Sequence, residues 1–290
     1  MATESLSGRG AARQTRALQE TLSGRGAARP TRALQETLSG RGAARQTRVL
    51  QETLTQPISR PSAHPLIELR GAGVTYPGRR SPALCTVDLA VRHGELVTLT
   101  GPAGSGKSTL LSVVGLLLRP TTGSYLLNGL DVTRLGDKDR TALRGRVIGS
   151  VFQRQQLLQS RSVLDNVMLP ALYAGLRRQQ RANVAAAALE RVGMAHRMHA
   201  LASELPAGEQ QRVAVARAIA GNPSLLLCDD PTASLDQEAA AHVIGLLVGL
   251  HKAGTTVLIA TRDQLAAAHS SRSLALGPAS SGTFAEDLSP

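Results

Sequence analysis

The amino-acid sequence predicts an α/β fold: a core of strands and helices that carries an antiparallel β-subdomain and a helical subdomain. Three observations lead to this prediction. Short strands precede a glycine-rich loop near residue 101, apolar strands alternate with helices after that loop, and a long helical pattern interrupts the alternation. Alternating strands and helices are typical of an α/β core, and a separate run of helices indicates an inserted subdomain.

Short β-branched and apolar runs bounded by turn residues predict the strands. In chain order they are Leu66–Arg70, Gly73–Tyr76, Cys85–Val91, Leu96–Thr100, Tyr125–Leu127, Val147–Phe152, Ser224–Cys228 and Thr256–Ala260. The dipeptide Asn128-Gly129 after the fifth strand predicts a tight hairpin turn. Helices are expected over Leu110–Leu118 and Ala239–His251, with several more between Ser162 and Arg217.

The first 54 residues contain a 16-residue sequence repeated three times, starting at Leu6, Leu22 and Leu38. Three short copies with few large apolar residues cannot bury a core. We therefore expect residues 1–62 to be disordered repeats and linker, residues 63–282 to form one domain whose helical subdomain covers about 154–220, and residues 283–290 to be a tail. Recent duplication, a start codon placed too far upstream and a functional basic arm are alternative explanations of the repeats.

Composition limits the classes of partner. The formal net charge is +12, carried by 33 Lys and Arg against 21 Asp and Glu, and Arg supplies almost all of the positive charge. Because no aromatic residues interleave with the Arg residues, a nucleic-acid partner is not expected. The two cysteines are interpreted as small core residues of a reducing compartment. No apolar run approaches the length of a membrane span and no secretory signal precedes the domain, so we expect a cytoplasmic chain.

The glycine-rich loop carries the clearest chemistry. It matches the pattern G-x-x-x-x-G-K-[ST] and lies between a predicted strand and a predicted helix, the setting in which this pattern wraps nucleotide phosphates. Its residues are Gly101, Pro102, Ala103, Gly104, Ser105, Gly106, Lys107, Ser108 and Thr109. Backbone N–H groups and the helix N-terminus attract anions. Lys107 is predicted to reach the β- and γ-phosphates, and the Ser108 hydroxyl to bind Mg²⁺.

A second motif lies 122 residues after Lys107. The apolar strand Leu225–Cys228 ends in Asp229, and a carboxylate at such a strand tip holds Mg²⁺ beside a phosphate loop. Alone, an aspartate at a strand end is more often a turn cap. The run that follows, D-P-T-A-S-L-D over residues 230–236, weakens that alternative.

Taken in order, these motifs resemble the ATP-binding subunit of an ABC transporter. The phosphate loop is followed by V-F-Q at residues 151–153, by L-P-A-G-E-Q-Q-R-V at 205–213 and by C-D-D-P-T-A-S-L-D at 228–236. The resemblance covers residues 65–280 and is strongest to the macrolide-export and lipoprotein-release subfamily, which includes FtsE-like subunits. It implies a P-loop NTPase core, with ATP and Mg²⁺ as cofactors.

The resemblance also implies roles for single residues. Tyr76 matches the aromatic that stacks on adenine, and Gln153 matches the loop glutamine that touches Mg²⁺ and communicates with the membrane partner. Asp236 matches an aspartate that crosses a dimer interface. The signature loop, which contacts the γ-phosphate held by the other subunit, is implied at Pro206, Ala207, Gly208 and Glu209. Catalytic positions are implied at Asp230, Arg262 and Gln153.

Three of these positions depart from the family pattern. The signature normally reads L-S-G-G, and here Pro206 removes a hydroxyl and an N–H while Ala207 adds a Cβ. Asp230 stands where a glutamate polarises the attacking water, and its side chain is one methylene shorter. Arg262 replaces the switch histidine and cannot relay a proton near neutral pH. Because these changes lie at positions implied in hydrolysis while the phosphate loop is intact, the sequence predicts that ATP is bound but hydrolysed slowly.

The resulting expectation is an ATP-hydrolysing subunit at the cytoplasmic face of the membrane, which energises a separate permease of the export or lipoprotein-release type as a homo- or heterodimer. The alternative is an ATP-gated regulatory module of a membrane complex that moves no substrate. A soluble ABC protein of DNA repair or translation is a weaker option, because such proteins need a long coiled-coil insertion or two nucleotide domains.

Overall fold

The computed structural model describes residues 50, 64–173, 176–262, 264–277 and 285–287. Except for Leu50, the predictions for the N-terminal repeats and the linker fall outside these residues. Leu50, from the third copy of the repeat, lies in a helix with none of its surface exposed. It belongs to the same buried apolar cluster as residues of the antiparallel strands.

The strands run in chain order as β1 Ile67–Val74, β2 Leu84–Val91, β3 Leu96–Thr100, β4 Thr122–Leu127, β5 Leu130–Asp131, β6 Ile148–Val151, β7 Leu225–Asp229, β8 Thr256–Ala260, β9 Arg272–Leu276 and β10 Ala285–Asp287. The α-helices are α1 Lys107–Val114, α2 Asp137–Val147, α3 Val163–Tyr173, α4 Arg178–Arg191, α5 Ala207–Ile219, α6 Gln237–Lys252 and α7 Gln264–Ala268. Two short 3₁₀ turns, Ala195–Arg197 and Ala202–Glu204, lead into α5.

The central sheet has the strand order β10-β9-β3-β8-β7-β6. Strands β9, β3, β8, β7 and β6 pair in parallel, while β10 pairs antiparallel to β9 at one edge. Every residue of β8 and the first four of β7 are buried, as expected for strands covered on both faces. Because the carboxyl ends of parallel strands meet at one edge, the loops after β3, β6, β7 and β8 meet there too.

The second sheet is the predicted antiparallel subdomain, with the order β2-β1-β4-β5. The two strands predicted over Leu66–Arg70 and Gly73–Tyr76 form the single strand β1, whose pairing with β2 is irregular between Leu69 and Ala72. The predicted hairpin turn is confirmed. Asn128 and Gly129 both have positive φ angles, 50° and 78°, as a two-residue type I′ turn requires.

The helical subdomain consists of α3, α4 and α5, and it confirms the helices predicted between Ser162 and Arg217. Two apolar clusters support the fold. The first joins the antiparallel sheet to α1 and one side of the central sheet. The second joins the helical subdomain to α6 and the other side. The phosphate loop therefore rests on the first cluster, whereas α5 is packed in the second.

Some elements carry no clear sequence pattern. Helix α2 is rich in Asp, Lys and Arg and runs directly into β6, so Val147, predicted to begin a strand, is its last helical residue. Strand β9 lacks the β-branched residues of β3, the parallel strand beside it. Residues 285–287, placed in the tail, form β10 through backbone pairing with β9. No helix within the described ranges is long and apolar enough to cross a membrane.

Candidate functional site

The phosphate loop follows β3 and ends where α1 begins at Lys107. Gly101, Gly104 and Gly106 have φ angles of 142°, 79° and 95°. A Cβ on Gly106 would lie 2.8 Å from the Ala83 carbonyl oxygen, and a Cβ on Gly101 would collide with the Leu276 carbonyl. The loop conformation therefore needs glycine at both positions, because the backbone angles and the close approach exclude a side chain.

Lys107 folds over this loop. Its Nζ donates hydrogen bonds to the carbonyl oxygens of Gly101 at 2.7 Å and Pro102 at 2.8 Å, and to the Ser105 hydroxyl at 3.3 Å. Burial lowers the pKa of Lys107, and the positive charge of Arg262 lowers it further, while Asp230 and Asp229 act in the opposite direction. The ammonium group is thus held at the mouth of the loop by weak neutral acceptors that an anion can replace.

Ser108 and Asp229 meet as predicted, although 121 residues separate them in the chain. The Ser108 hydroxyl donates to Asp229 Oδ1 at 3.0 Å. Burial raises the pKa of Asp229 and the neighbouring Asp230 adds to this, while the Ser108 hydrogen bond and the Lys107 charge oppose it. Two oxygen ligands, one of them a carboxylate, therefore lie beside the lysine that is predicted to contact phosphate.

Asp230 follows β7 with a positive φ of 46°, a left-handed conformation that aspartate tolerates better than most residues. Its N–H donates to the Ala260 carbonyl at 2.7 Å, and its Oδ1 accepts from the Thr261 hydroxyl at 3.1 Å. The carboxylate is therefore tied to the end of β8. Sequence reasoning missed Thr261 as a site residue, although its position directly after a buried strand was a usable signal.

Arg262 comes next in the chain and is exposed. It lies two residues after the end of β8, at the same edge of the sheet as the phosphate loop, and its positive charge lowers the pKa of Lys107. Gln153, also exposed, lies two residues after the end of β6 at this edge. The structure thus brings Gln153, Asp229, Asp230 and Arg262 to one side of the sheet, around the loop that begins at Gly101.

Tyr76 lies in the loop between β1 and β2, with 39% of its surface exposed. A backbone hydrogen bond from Ala83 to Val74 closes this loop, and Ala83 contacts the phosphate loop at Gly106. The antiparallel sheet therefore presents Tyr76 on a loop adjoining the phosphate loop. Its role as a flat aromatic surface for a base stays a prediction.

The signature residues occupy the start of α5. Pro206 is the N-cap of this helix, and its carbonyl accepts the Gln210 N–H at 2.9 Å, so the helix forms despite the proline as expected. Pro206 and Ala207 are both exposed. Within the part of the chain that the structure describes, neither residue hydrogen-bonds to the phosphate loop.

Gly208 and Glu209 are anchored within the chain. A Cβ on Gly208 would lie 2.8 Å from the Ala239 Cβ, so glycine allows α5 to pack closely on α6. Glu209 Oε2 lies 3.6 Å from Arg197 Nε, and its Oε1 lies 3.9 Å from Arg212 Nη2. These contacts give both residues a structural role, independent of any nucleotide.

Asp236 also has a structural role that the sequence analysis did not foresee. It is the N-cap of α6, and its side chain accepts the Ala239 N–H at 2.8 Å. Ala239 is the same residue that Gly208 contacts. The start of α5 and the start of α6 are therefore fixed to one another through Ala239.

Together, the fold and this edge define a nucleotide-binding protein of the P-loop class. The family model described as ABC transporter matches residues 84–233. The chain is 43% identical over 180 residues to the uncharacterized ABC transporter ATP-binding protein YknY of Bacillus subtilis, which covers 62% of this chain and 78% of that protein. It is also 43% identical over 214 residues to the macrolide export ATP-binding/permease protein MacB of Rhodospirillum rubrum, covering 73% of this chain and 33% of MacB.

A solved structure gives the same result. The dimeric ATP-binding cassette MJ0796, in a post-hydrolysis state with ADP and Pi, superposes with a TM-score of 0.70 at 31% identity, over 77% of this chain and 98% of that one. The chain belongs to the ABC transporter family and is an ATP-binding subunit of the ATPase type. It spans about a third of the length of its MacB relatives.

Proposed function

We propose that this chain binds ATP with Mg²⁺, dimerises, and energises a separate membrane permease of the export or lipoprotein-release type, with slow turnover. The single observation that carries the proposal is the contrast within the site. Lys107, Ser108 and Asp229 are assembled at one edge, whereas the residues implied in hydrolysis are altered. The proteins named for macrolide and pyoverdine export, at about 42% identity, support the direction of transport.

The residues present fit Mg²⁺. Magnesium takes oxygen ligands and is usually held by one or two protein groups together with substrate phosphates. Ser108 Oγ and Asp229 Oδ1, 3.0 Å apart, supply such a pair beside the phosphate loop. Among the described residues no group of three or more His, Cys, Asp or Glu forms a larger metal cage. When bound, the ion would neutralise charge on the β- and γ-phosphates, and Gln153, two residues after β6, would approach it.

Slow turnover follows from how Asp230 is held. Thr261 ties its carboxylate at 3.1 Å to the end of β8, and the side chain is one methylene shorter than glutamate. A displacement of about 1 Å in a catalytic group can cost on the order of 10²-fold in rate. Arg262 adds a permanent positive charge that favours phosphate binding, but a guanidinium does not accept a proton near neutral pH.

Dimerisation is supported by the exposed start of α5. The N-terminal N–H groups of a helix attract anions, and here they lie at exposed residues that make no hydrogen bond to the phosphate loop of the same chain within the described ranges. A second subunit would bring them onto its partner's nucleotide. In such a dimer each site combines one subunit's Asp230 and Arg262 with the other's Pro206 and Ala207. Because the chain carries both sets of changes, every site in a homodimer contains all of them.

The regulatory alternative, an ATP-gated module that moves no substrate, is not favoured. The relatives are named as transporter and export proteins. A separate permease is supported by YknY, a protein named for ATP binding alone, of which the chain covers 78%.

The decisive experiment measures steady-state ATP hydrolysis by the purified chain and by a chain in which Asp230→Glu, Arg262→His, Pro206→Ser and Ala207→Gly are combined. We expect the combined variant to be on the order of 10²-fold faster, with ATP affinity within a few-fold. Equal rates in the two chains would contradict slow turnover. The same assay with a co-expressed permease tests the partnership, since coupling should raise the rate.

A further inference from the structure

We infer that Arg217 is a positioning residue that fixes the Gln153 loop to the helix carrying the signature residues. This inference deepens the proposed function and rests on it. Arg217 lies in the last turn of α5, and its guanidinium donates from Nη2 to the Gln155 carbonyl at 2.7 Å and from Nη1 to the Gln156 carbonyl at 2.8 Å. Two successive carbonyls, two and three residues after Gln153, are therefore held by one side chain.

The chemistry favours arginine here. A planar guanidinium presents two parallel donors in a fixed fork, which a single ammonium cannot reproduce. Gln156 has a φ of 49°, a left-handed conformation that a non-glycine residue adopts only when its surroundings enforce it. The two hydrogen bonds, together with the buried Leu157 that follows, supply that enforcement.

Arg217 has no other electrostatic task in the described ranges. It forms no salt bridge there, and burial lowers its pKa without a compensating carboxylate. A charged side chain that is half-buried without an acidic partner is costly, and its hydrogen bonds to carbonyls offset part of that cost. The arrangement is therefore specific to the loop rather than a general surface ion pair.

Helix α5 makes the link mechanical. Ala207 begins the helix and Arg217 lies ten residues later, about 15 Å along a rigid rod. When contact with a second subunit moves the N-terminal end of α5, the helix carries this movement to the Gln155 and Gln156 carbonyls. Arg217 and Phe152 also line a cavity of about 260 Å³ with Pro170 of α3. The Arg217 side chain is thus accessible from the side on which α3 lies.

The first test uses the absence of tryptophan in the chain. Phe152→Trp, next to Gln153, gives a single emission whose quenching by acrylamide is measured without nucleotide. We expect Arg217→Met to raise the quenching constant about twofold, and Arg217→Lys to raise it nearly as much because the fork is lost. The matched control is Arg140→Met, which removes another arginine whose Nη2 donates to a backbone carbonyl, that of Leu116 at 2.9 Å.

Unchanged quenching in Arg217→Met, or an equal rise in Arg140→Met, would overturn the inference. If the tryptophan itself disturbs folding, amide hydrogen exchange over residues 153–157 in chains without the reporter decides the same point. Neither measurement needs nucleotide. A negative result would therefore leave the proposed function intact. A positive result would not depend on the proposed function.

The second test is a double-mutant cycle in ATP turnover. Arg217→Met alone should slow kcat about tenfold, the loss expected when hydrogen bonds from a charged group are removed, with KM for ATP within about twofold. In a Gln153→Ala background the same substitution should cost less than about twofold. Equal losses in the two backgrounds would show that Arg217 acts independently of Gln153, against the inference.

Discussion

The phosphate-binding edge and the signature surface are built in different ways. At the edge, Lys107 folds over the phosphate loop, and the Ser108 hydroxyl is hydrogen-bonded to Asp229, 121 residues away in the chain. At the signature surface, Pro206 and Ala207 are exposed, and their helix is anchored by packing behind them, through Gly208 against Ala239. The first region is assembled within one chain, whereas the second leaves Pro206 and Ala207 exposed on the surface.

This difference separates two steps of the ATPase cycle. Binding depends on backbone and side-chain groups that one chain already positions, so it survives changes elsewhere. In the proposed function, hydrolysis depends on groups at both regions, and both carry departures from the family pattern. Binding and turnover should therefore respond separately to substitutions.

The largest expected effect comes from a substitution in the phosphate-binding edge. Lys107→Ala removes the ammonium that covers the phosphate loop and should weaken ATP binding on the order of 100-fold, because hydrogen bonds from a charged donor contribute about 1.5–3 kcal/mol. Binding of a fluorescent ATP analogue measures the loss. Lys138→Ala, at an exposed lysine of α2, is the control. An equal loss in that control would show a general charge effect.

The next effect tests whether the two regions form one site across a dimer. One chain carries Asp230→Glu with Arg262→His, and the other carries Pro206→Ser with Ala207→Gly. When the two are mixed, one of the two sites in each heterodimer has every element restored and the other has none. We expect the mixture to hydrolyse ATP at least about tenfold faster than either chain alone. A mixture no faster than the mean of its parts would argue against sites shared between subunits.

The two regions also differ in how far the sequence predicted them. The phosphate loop, Ser108 and Asp229 were predicted because each lies in a local pattern of strand, loop and helix, and the parallel sheet brings strand ends together. The capping role of Asp236 and the packing of Gly208 on Ala239 were not predicted, since both depend on how α5 meets α6. Helix α2 was missed for a different reason: seven of its eleven residues are polar or charged, so it shows little apolar periodicity.

A smaller effect separates stability from dimer contact at Asp236. Asp236→Ala removes the N-cap of α6 and should lower the free energy of unfolding by about 1 kcal/mol. Asp236→Asn keeps a good cap but removes the charge, so it should leave stability nearly unchanged. Denaturant titration measures both. If Asp236→Asn retains stability but loses turnover, the charge serves the dimer; a loss of stability as large as that of Asp236→Ala would refute the capping account.

The smallest effect concerns the charge of Arg262 beside the phosphate loop. Burial is the main cause of the lowered pKa of Lys107, and Arg262 is the second. Removing this positive charge makes protonation of Lys107 easier, so Arg262→Gln should raise its pKa. Because only the protonated lysine pairs with phosphate, the alkaline decline of ATP binding should move to higher pH, even though the affinity at neutral pH falls with the lost charge.

Affinity measured across the alkaline range tests the direction, with Arg178→Gln on α4 as the control. An unchanged pH midpoint would mean that Arg262 lies too far from Lys107 to influence its pKa. Arg262 would then not strengthen ATP binding.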